Sequence, residues 1–475
     1  MKQSKRAGGR AKALIPVMVL GSLPLLSPGW QSVLAQIYQP IDQPLPDPNA
    51  TTIGSRAAAN NPNGATAGAA IETTCGTGFN QASSVASQQA FGADCNDLFT
   101  ASAAGDPNVD NALRRIAAEE ISAQNTAALN NTRVRVSVLT GRLQVLRASS
   151  GYAPFAALDA PELGLFRAQG GGASADGSFG KLSGFINGKY SKGDQKGDSF
   201  DPGFDFKTTS LTAGLDYRVS ESAVFGVALD FSNGDADFDN NAGDLDIDSY
   251  SATLYGSFYT PDGLFIDALM GFGRTNYDQK RNIVYTLNQG VNGVTSVNQV
   301  ASSDPEADVF NASLGLGYAV VHSGWTISPT LRLDFVRNDV EGYTESASNP
   351  TAPGAGFALS VDKAKFESLT SNIGFQLGYP MSQSWGVLVP QARLEWVHEF
   401  MDDSQTIGAR FTGDFNQQSL FVRTGNPDRN WGSLGLGLSA QWADGKSGFL
   451  SYETEFDRDN VTINTIRAGF RMEFD

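Results

Sequence analysis

A repeated alternation of apolar and polar residues dominates the C-terminal part of the chain. In residues 466–474, I-R-A-G-F-R-M-E-F, every second residue is apolar and the residues between are polar or small. Side chains of an extended strand point alternately to opposite faces, so this strand has one apolar and one polar face. About twelve segments from residue 179 onward repeat the pattern. The repetition predicts a membrane-spanning β-barrel of about 12 antiparallel strands.

The connections between these segments alternate in length, as expected of an outer-membrane barrel. The short ones are residues 218–223, 260–263, 322–324, 380–384 and 443–446, and the long ones are 192–205, 232–248, 277–307, 338–363 and 402–430. A soluble β-sandwich also alternates, but here large aromatics flank the short turns. Such residues typically form a girdle at one membrane interface; they are Tyr217, Tyr259, Trp325, Tyr379, Trp385 and Trp442.

The residues before the barrel divide into four predicted regions. Residues 1–35, with five basic residues in the first twelve positions followed by an apolar run, are typical of a secretory signal peptide. Residues 36–106 are predicted to be a largely irregular, low-complexity exported segment, in which Cys75 and Cys95 form a disulfide. Residues 107–150 are predicted to be an α-helical linker and residues 151–178 a Gly-rich linker, so that the barrel domain spans residues 179–475.

The helical linker carries an apolar stripe and a cluster of basic residues. Leu129, Thr132, Val136, Leu139, Leu143 and Leu146 recur at alternating spacings of three and four. The stripe is compatible with packing on a partner helix. A sharper hypothesis places the second half of the helix in an acid-bearing pore, with Arg142 and Arg147 among the residues that face its wall.

Strand parity predicts which charged residues face the lumen of the barrel. They are Asp216, Asp230, Arg332, Asp334, Arg393, Glu395, Glu453, Glu455, Arg467 and Arg471. Under one hypothesis they hold the helix as a plug, because an unpaired charge in a confined space is costly. Under the alternative they pair with one another across strands in a hydrated lumen.

Other chemistry has weaker support in the sequence. The chain has 50 acidic against 34 basic residues, which argues against nucleic acid as a partner. A run of aspartates offers hard oxygen ligands for calcium but does not fit an EF-hand; its members include Asp235, Asp237, Asp239, Asp244 and Asp246. His322 and His398 are the only histidines. His322 falls in a short turn and His398 has outward parity, so we expect no catalytic site, no cofactor and no enzymatic activity.

Three segments give the chain a family resemblance. Residues 325–335, W-T-I-S-P-T-L-R-L-D-F, residues 389–400, V-P-Q-A-R-L-E-W-V-H-E-F, and the final strand with R-A-G-F-R-M-E-F resemble the autotransporter β-domain of type V secretion. The resemblance implies a twelve-stranded barrel in the outer membrane of a Gram-negative bacterium, in contact with lipid, which helps an N-terminal passenger reach the cell surface. It also implies insertion by the barrel-assembly machinery, with periplasmic chaperones, through a C-terminal signal that here contains Phe470, Met472 and Phe474.

The same resemblance concerns the linker helix. Residues 141–147, G-R-L-Q-V-L-R, are similar to the family's pore-threading helix, to which Leu139, Arg142, Leu143, Leu146 and Arg147 would belong. The chain departs from the family where Asp475 follows the terminal aromatic. Asn130-Asn131 also lies farther from this element than in members that cut themselves, so no self-cleavage is expected.

These observations predict an outer-membrane barrel that anchors and helps to translocate or display a short N-terminal passenger. The alternative is a porin-like barrel whose N-terminal helix is a periplasmic or pore-plugging element.

Overall fold

Twelve long strands form a closed antiparallel barrel in the computed structural model. The structure describes residues 53–57, 60–76, 84–124, 126, 136, 138–143, 146, 182–442 and 446–474. The twelve strands are β1 (Leu182–Gln195), β2 (Phe204–Ser220), β3 (Ala223–Phe238), β4 (Gly243–Tyr259), β5 (Leu264–Gly290), β7 (Glu306–Tyr318), β9 (Trp325–Val340), β13 (Ala364–Gly378), β15 (Gly386–Glu399), β18 (Asn430–Trp442), β19 (Lys446–Phe456) and β20 (Val461–Phe474).

Pairing of the first and last strands closes the sheet. β1 pairs with β20 from Leu182 opposite Phe474 to Gln195 opposite Val461, and β5 pairs with β7 across the long hairpin between them. Every barrel strand therefore has a partner on both sides, which a sheet surrounded by lipid requires because its backbone groups have no water to bind.

The two faces of the strands differ as the alternation predicts. Outward-facing side chains include a broad band of exposed apolar residues, among them Leu229, Leu254 and Phe272, whereas many inward-facing positions are polar or charged. Tyr217, Trp325, Tyr379, Trp385 and Trp442 are exposed near the short turns, as expected of the girdle. The prediction that Tyr259 belongs to the girdle is wrong. Tyr259 is 4% exposed and points into the barrel, because it shares the parity of the inward-facing Tyr255.

The strands continue far beyond the length that a membrane needs. A transmembrane strand requires about 9–11 residues, but β4 has 17 and β5 has 27. Two connections predicted as long loops, 232–248 and 277–307, are therefore mostly strand in the structure. At this long-loop end, β6 (Gly293–Ser303) pairs with β5 and with the two-residue β11 (Ser346–Ala347).

Further short strands complete the two ends. At the long-loop end a four-stranded sheet contains, in order, β10 (Tyr343–Thr344), β12 (Leu359–Val361), β16 (Thr406–Phe411) and β17 (Ser419–Arg423). At the short-turn end, β8 (Val320–His322) and β14 (Met381–Gln383) extend the hairpins that lead into β9 and β15. The long-loop end is thus a folded structure that stands above the membrane-spanning part of the barrel.

Among the residues that the structure describes, three helices lie at this end of the molecule: α1 (Pro62–Gly76), α2 (Ala86–Ala104) and α3 (Val109–Ile116). The prediction of a largely irregular segment over residues 36–106 is wrong for the part that the structure describes. The prediction of a helical linker over residues 107–150 is wrong as one continuous helix, because α3 ends at Ile116 and Ala118 adopts a left-handed backbone conformation with φ of 57°. None of these helices is long and apolar enough to cross a membrane.

We refer to the described residues between 53 and 124 as the cap. The cap shares one hydrophobic core with the long-loop end of the barrel. Phe91 of α2 is fully buried, with its ring centroid 5.5 Å from that of Phe357 and 5.6 Å from that of Phe411. Gly356 and Gly413 allow this contact, since a Cβ at either position would lie under 3 Å from Phe91. Cys75 and Cys95 form a disulfide that joins α1 to α2.

Truncation of Phe91 tests whether the cap is held by this core. We expect Phe91→Ala to destabilise cap docking by about 3–5 kcal/mol, the usual cost of removing a buried aromatic ring. Trypsin should then cut faster after Arg114 or Arg115 in the cap, while the barrel keeps its heat-dependent shift on a gel. Phe415→Ala is the control, because Phe415 is 45% exposed. Equal cleavage of the two variants would contradict a shared core.

Candidate functional site: the occupied lumen

A helical segment lies inside the barrel between the cap and the first strand. Residues 136, 138–143 and 146 have helical geometry, and Val136, Leu139, Leu143 and Leu146 are almost completely buried. These residues belong to the apolar stripe seen in the sequence. They pack on one side of the lumen wall, against a patch formed by Phe185, Val224, Ala228, Tyr255, Tyr259, Phe265 and Leu269. Inward-facing aromatics on β1, β4 and β5 are the sequence signal for this patch.

Arg142 anchors the segment to the same wall. Its Nε donates to Asp216 Oδ2 at 3.0 Å and its Nη2 donates to Ser183 Oγ at 3.2 Å, while its guanidinium lies 4.9 Å from the Phe185 ring centroid. The hydroxyl of Tyr255 donates to the other oxygen of Asp216. This cluster thus joins the helical segment to β1, β2 and β4, and the charged groups of Arg142 and Asp216 are both buried. Arg147 lies outside the described residues.

The other lumen charges form a ladder along the opposite wall. Arg332 contacts Asp334 at 2.8 Å and Glu395 at 3.6 Å, and Arg393 reaches Glu395 at 3.8 Å. Arg393 also pairs with Glu453, which Arg467 contacts at 3.1 Å. These residues pair with one another within and across strands, and none of these ion pairs involves the helix.

The last strand places its residues on both faces of the barrel. Arg471 is buried near the short-turn end, where it contacts Glu473 at 2.6 Å and Ser183 at 3.4 Å. Phe470, Met472 and Phe474 have 39–46% of their surface exposed and face outward. This geometry puts the three residues of the predicted assembly signal on the lipid-facing side.

The helical segment leaves space beside the charged wall. A cavity of about 90 Å³ lies between Val138 and Gly141 on one side and Arg393, Glu453 and Arg467 on the other. A second cavity of about 40 Å³ lies between Gly141 and Arg332. The lumen therefore has an apolar side that holds the helix and a charged side with room for water.

Buried polar contacts attach the cap to the barrel. The side-chain amide of Asn63 donates to the carbonyl oxygens of Phe200 at 3.1 Å and Arg423 at 2.9 Å. Thr74 donates to Asp414 at 2.7 Å. These contacts have no signal in the sequence, because α1 (P-N-G-A-T-A-G-A-A-I-E-T-T-C-G) consists mainly of small residues and reads as low complexity.

Two buried carboxyl groups of the cap have strongly perturbed acidity. Burial raises the pKa of Asp94 to about 8, although Asp94 accepts a 2.7 Å hydrogen bond from the backbone N–H of Gly354. Burial raises the pKa of Glu119 to about 8 as well, against the opposing effect of Arg114. Both groups favour the protonated form at neutral pH when the cap is docked.

The remaining candidate residues lie apart from the lumen. The aspartates of the calcium candidate lie above the apolar band: Asp235 and Asp237 on β3, Asp239 in the turn, and Asp244 and Asp246 on β4. Asp235 pairs with Lys207 at 3.5 Å, and Asp244 pairs with Lys280 at 3.1 Å. Within the described residues no group of three or more His, Cys, Asp or Glu side chains could hold a metal. His398 shares outward parity with Trp396, packs on Phe400, and its Nδ1 lies 2.8 Å from the Asn430 side-chain oxygen.

The fold and the occupied lumen define the class: a β-barrel for a lipid membrane, with a helix of its own chain inside. The family model for the autotransporter β-domain matches residues 184–453, which is more than half of the chain. The chain therefore belongs to the autotransporter β-domain family and is an outer-membrane barrel of a Gram-negative bacterium. Its outward apolar band contacts the lipid of that membrane.

Individual relatives are distant. The chain is 26% identical over 204 residues to an uncharacterized protein in the trpE-trpG intergenic region of Pseudomonas putida, covering 43% of this chain and 32% of that protein. It is 26% identical over 248 residues to the esterase EstA of Pseudomonas aeruginosa, covering 50% and 35%. The chain thus spans about a third of the length of these relatives.

Two domains of autotransporters are among the solved structures to which the chain is similar. The translocator domain of NalP from Neisseria meningitidis matches with 15% identity and a TM-score of 0.49, covering 73% of this chain and 98% of that one. The β-domain of BrkA from Bordetella matches with 21% identity and a TM-score of 0.43, covering 62% and 100%.

Loss of Arg142 tests the anchor in the lumen. Arg142→Ala leaves the buried Asp216 without its cation, so we expect the docked helix to lose about 3–5 kcal/mol. Single-channel recordings in planar bilayers should then show more frequent open events. Lys207→Ala is the matched control, because that exposed ion pair contributes little. Conductance equal to that of the parent would show that Arg142 does not hold the helix.

The acidity of Asp94 and Glu119 predicts how cap docking depends on pH. Their raised pKa in the docked state means that protonation favours docking, so their stabilising effect is complete below about pH 4 and is lost as the pH rises through about 8. The protection factors for hydrogen exchange in α2, which correct for the base-catalysed intrinsic exchange rate, should therefore be lower at pH 9 than at pH 5.

Variants that cannot ionise provide the control for this pH effect. Asp94→Asn/Glu119→Gln should flatten the difference in these protection factors between pH 5 and pH 9. The same pH dependence in the variant and the parent would assign the effect to other groups.

Proposed function

We propose that this barrel carries its own N-terminal segment through its lumen and holds it outside the membrane as a retained cap. The order of the chain supports the proposal: the cap lies at the long-loop end, the helical residues 136, 138–143 and 146 lie within the lumen, and β1 begins at the short-turn end. Outer-membrane barrels have short periplasmic turns and long extracellular loops. By that rule the cap is extracellular and the chain crosses the membrane inside its own barrel.

The shared core favours retention over release. A passenger that leaves the barrel folds with a core of its own, whereas the buried residues of the cap contact Phe357, Phe411 and Leu420 of the barrel loops. Undocking the cap would expose both apolar surfaces to water. We therefore assign the cap the role of a permanent surface element that also closes the extracellular end of the lumen.

Assembly follows from the same proposal. The barrel-assembly machinery would insert the strands, with periplasmic chaperones protecting the apolar strands beforehand. Phe470, Met472 and Phe474, which face outward on the final strand, are the residues that we propose this machinery reads. The cap would fold after its segment has passed the lumen, because its core includes barrel loops that exist only in the assembled state.

The porin-like alternative makes a different prediction for the cap. In that reading the cap is periplasmic and the cavities along Arg393 and Glu453 conduct ions. The position of the cap among the long loops favours translocation over this alternative. EstA is named an esterase, but the chain spans about a third of it, and we propose no catalytic role for this chain.

Protease accessibility in whole cells tests the direction of translocation. An epitope inserted after residue 80, between α1 and α2, should be cut by external protease on intact cells. An epitope in the short turn at residues 260–263 is the control and should be protected until the outer membrane is permeabilised. The reverse pattern would place the cap in the periplasm and would support the porin-like alternative.

A further inference from the structure

The hairpin of β5 and β6 rises above the neighbouring strand of the barrel wall. β4 pairs with β5 only as far as Gly243 opposite Arg281, whereas β5 continues to Gly290 and pairs with β6 over that stretch. In the part of the chain that the structure describes, one edge of the last part of β5 therefore has no neighbouring strand.

The backbone at this edge has hydrogen-bonding groups that the barrel does not use. The N–H of Asn282 donates to the carbonyl oxygen of Ala242 at 2.7 Å, so the backbone groups of Asn282 point away from β6. These groups alternate in direction along a strand, and the register between β5 and β6 is continuous over residues 279–287. The N–H and C=O groups of Val284 and Thr286 therefore point to the same edge, beyond the end of β4.

The two faces of this part of β5 have different surroundings. Ile283, Tyr285 and Leu287 are at most 4% exposed, because they pack in the core shared with the cap. Val284 is 37% exposed, and Thr286 is exposed as well. The cap thus covers the inner face, whereas the outer face is open to a partner.

The hairpin contains no charged residue. Residues 282–303 include no Asp, Glu, Lys or Arg, although the chain has 50 acidic and 34 basic residues. Exposed edge strands normally carry charges or proline, which prevent pairing with other strands, and this stretch has neither. The net charge of −16 makes copies of the chain repel one another, and this repulsion is weakest at an uncharged hairpin.

We propose that this hairpin pairs edge to edge with the same hairpin of a second copy of the chain. The edge of an antiparallel strand is complementary to itself, because a two-fold rotation about an axis perpendicular to the sheet places N–H groups opposite C=O groups. An identical uncharged partner also brings no charge into the contact. The backbone groups of Val284 and Thr286 form the hydrogen bonds in both copies.

The membrane restricts how two copies can meet. All copies in one membrane point in the same direction, and the strands of such a barrel are tilted by about 35–45°. A two-fold axis along the membrane normal would make the two β5 strands cross at about 70–90°, twice this tilt, so they could not pair. Antiparallel pairing needs copies that point in opposite directions. The partner therefore lies in a facing membrane, and the hairpins join the two membranes.

This inference rests on the proposed orientation, in which the long-loop end is extracellular. Each pair of hairpins forms only a few backbone hydrogen bonds, so the contact between two single copies is weak. Many pairs between two membranes act together, and their combined strength far exceeds that of one pair. Adhesion between cells or vesicles is therefore the property to measure.

Clustering of lipid vesicles that contain the purified full-length protein tests the proposal by light scattering. Parent vesicles should cluster with one another and should not bind protein-free vesicles. Val284→Lys/Thr286→Lys places two charges at the edge and should slow clustering at least tenfold. Thr286→Pro should slow it as well, because it removes an N–H that points to the edge and not to β6. A heat-dependent shift on a gel would verify that the barrel of each variant is folded.

Val85→Lys/Thr344→Lys is the matched control. It replaces an exposed valine and an exposed threonine at the same end of the molecule but outside the hairpin. This variant has the same added charge as Val284→Lys/Thr286→Lys and should cluster as the parent does.

Three results would overturn the proposal: no clustering of parent vesicles, equal loss of clustering in the two lysine variants, or clustering of parent vesicles with protein-free vesicles. The last would indicate a lipid-binding surface. Cleavage of the epitope after residue 80 by external protease reports the fraction of copies whose cap faces outward, so vesicles are compared at equal fractions. A failure to cluster would therefore count against strand pairing and not against the direction of translocation in cells.

Discussion

Complete pairing of the backbone within the membrane is the constraint on which the rest of this structure depends. Lipid offers no hydrogen-bond partners, so each spanning strand needs a neighbour on both edges, and β1 must meet β20. Closure creates an interior whose lining is contributed by many strands together. The features specific to this protein are the helical segment that fills part of that interior and the cap at its long-loop end.

The interior is divided into two chemically different halves. On one side, aromatic residues of β1, β4 and β5 face the leucines of the helical segment, and the buried pair of Arg142 and Asp216 fixes its position along the barrel. On the other side, Arg332, Arg393 and Arg467 form ion pairs with neighbouring carboxylates. The apolar wall therefore stabilises the helix, whereas the charged residues of the other wall pair with one another and not with the helix. Both hypotheses about the lumen charges, a plug partner and cross-strand pairs, describe part of this arrangement.

The sequence predicts the barrel well because period two is a local signal that each strand carries independently. Residues 310–318, for example, alternate without reference to any other strand, and so they predict a strand with one lipid-facing side. Tyr259 shows the limit of such reasoning, since it ends a strand where the girdle is expected but has inward parity. The aspartates near residue 240 show another limit: polarity suggested a loop, although strands that extend beyond the membrane are equally polar.

The cap was not predictable by the same means, and the reason is physical. Its first helix contains mainly Ala, Gly and Thr, which give no amphipathic stripe, because the helix is buried nearly all round by barrel loops and by the other helices. A core assembled from residues as distant as Ile53 and Ile463 leaves no periodic trace in either segment. The small residues that read as low complexity are the ones that allow close packing, as the approach of Gly54 to Gly68 illustrates. Because the barrel loops supply part of the core of the cap, the docked cap is complete only when those loops are in place.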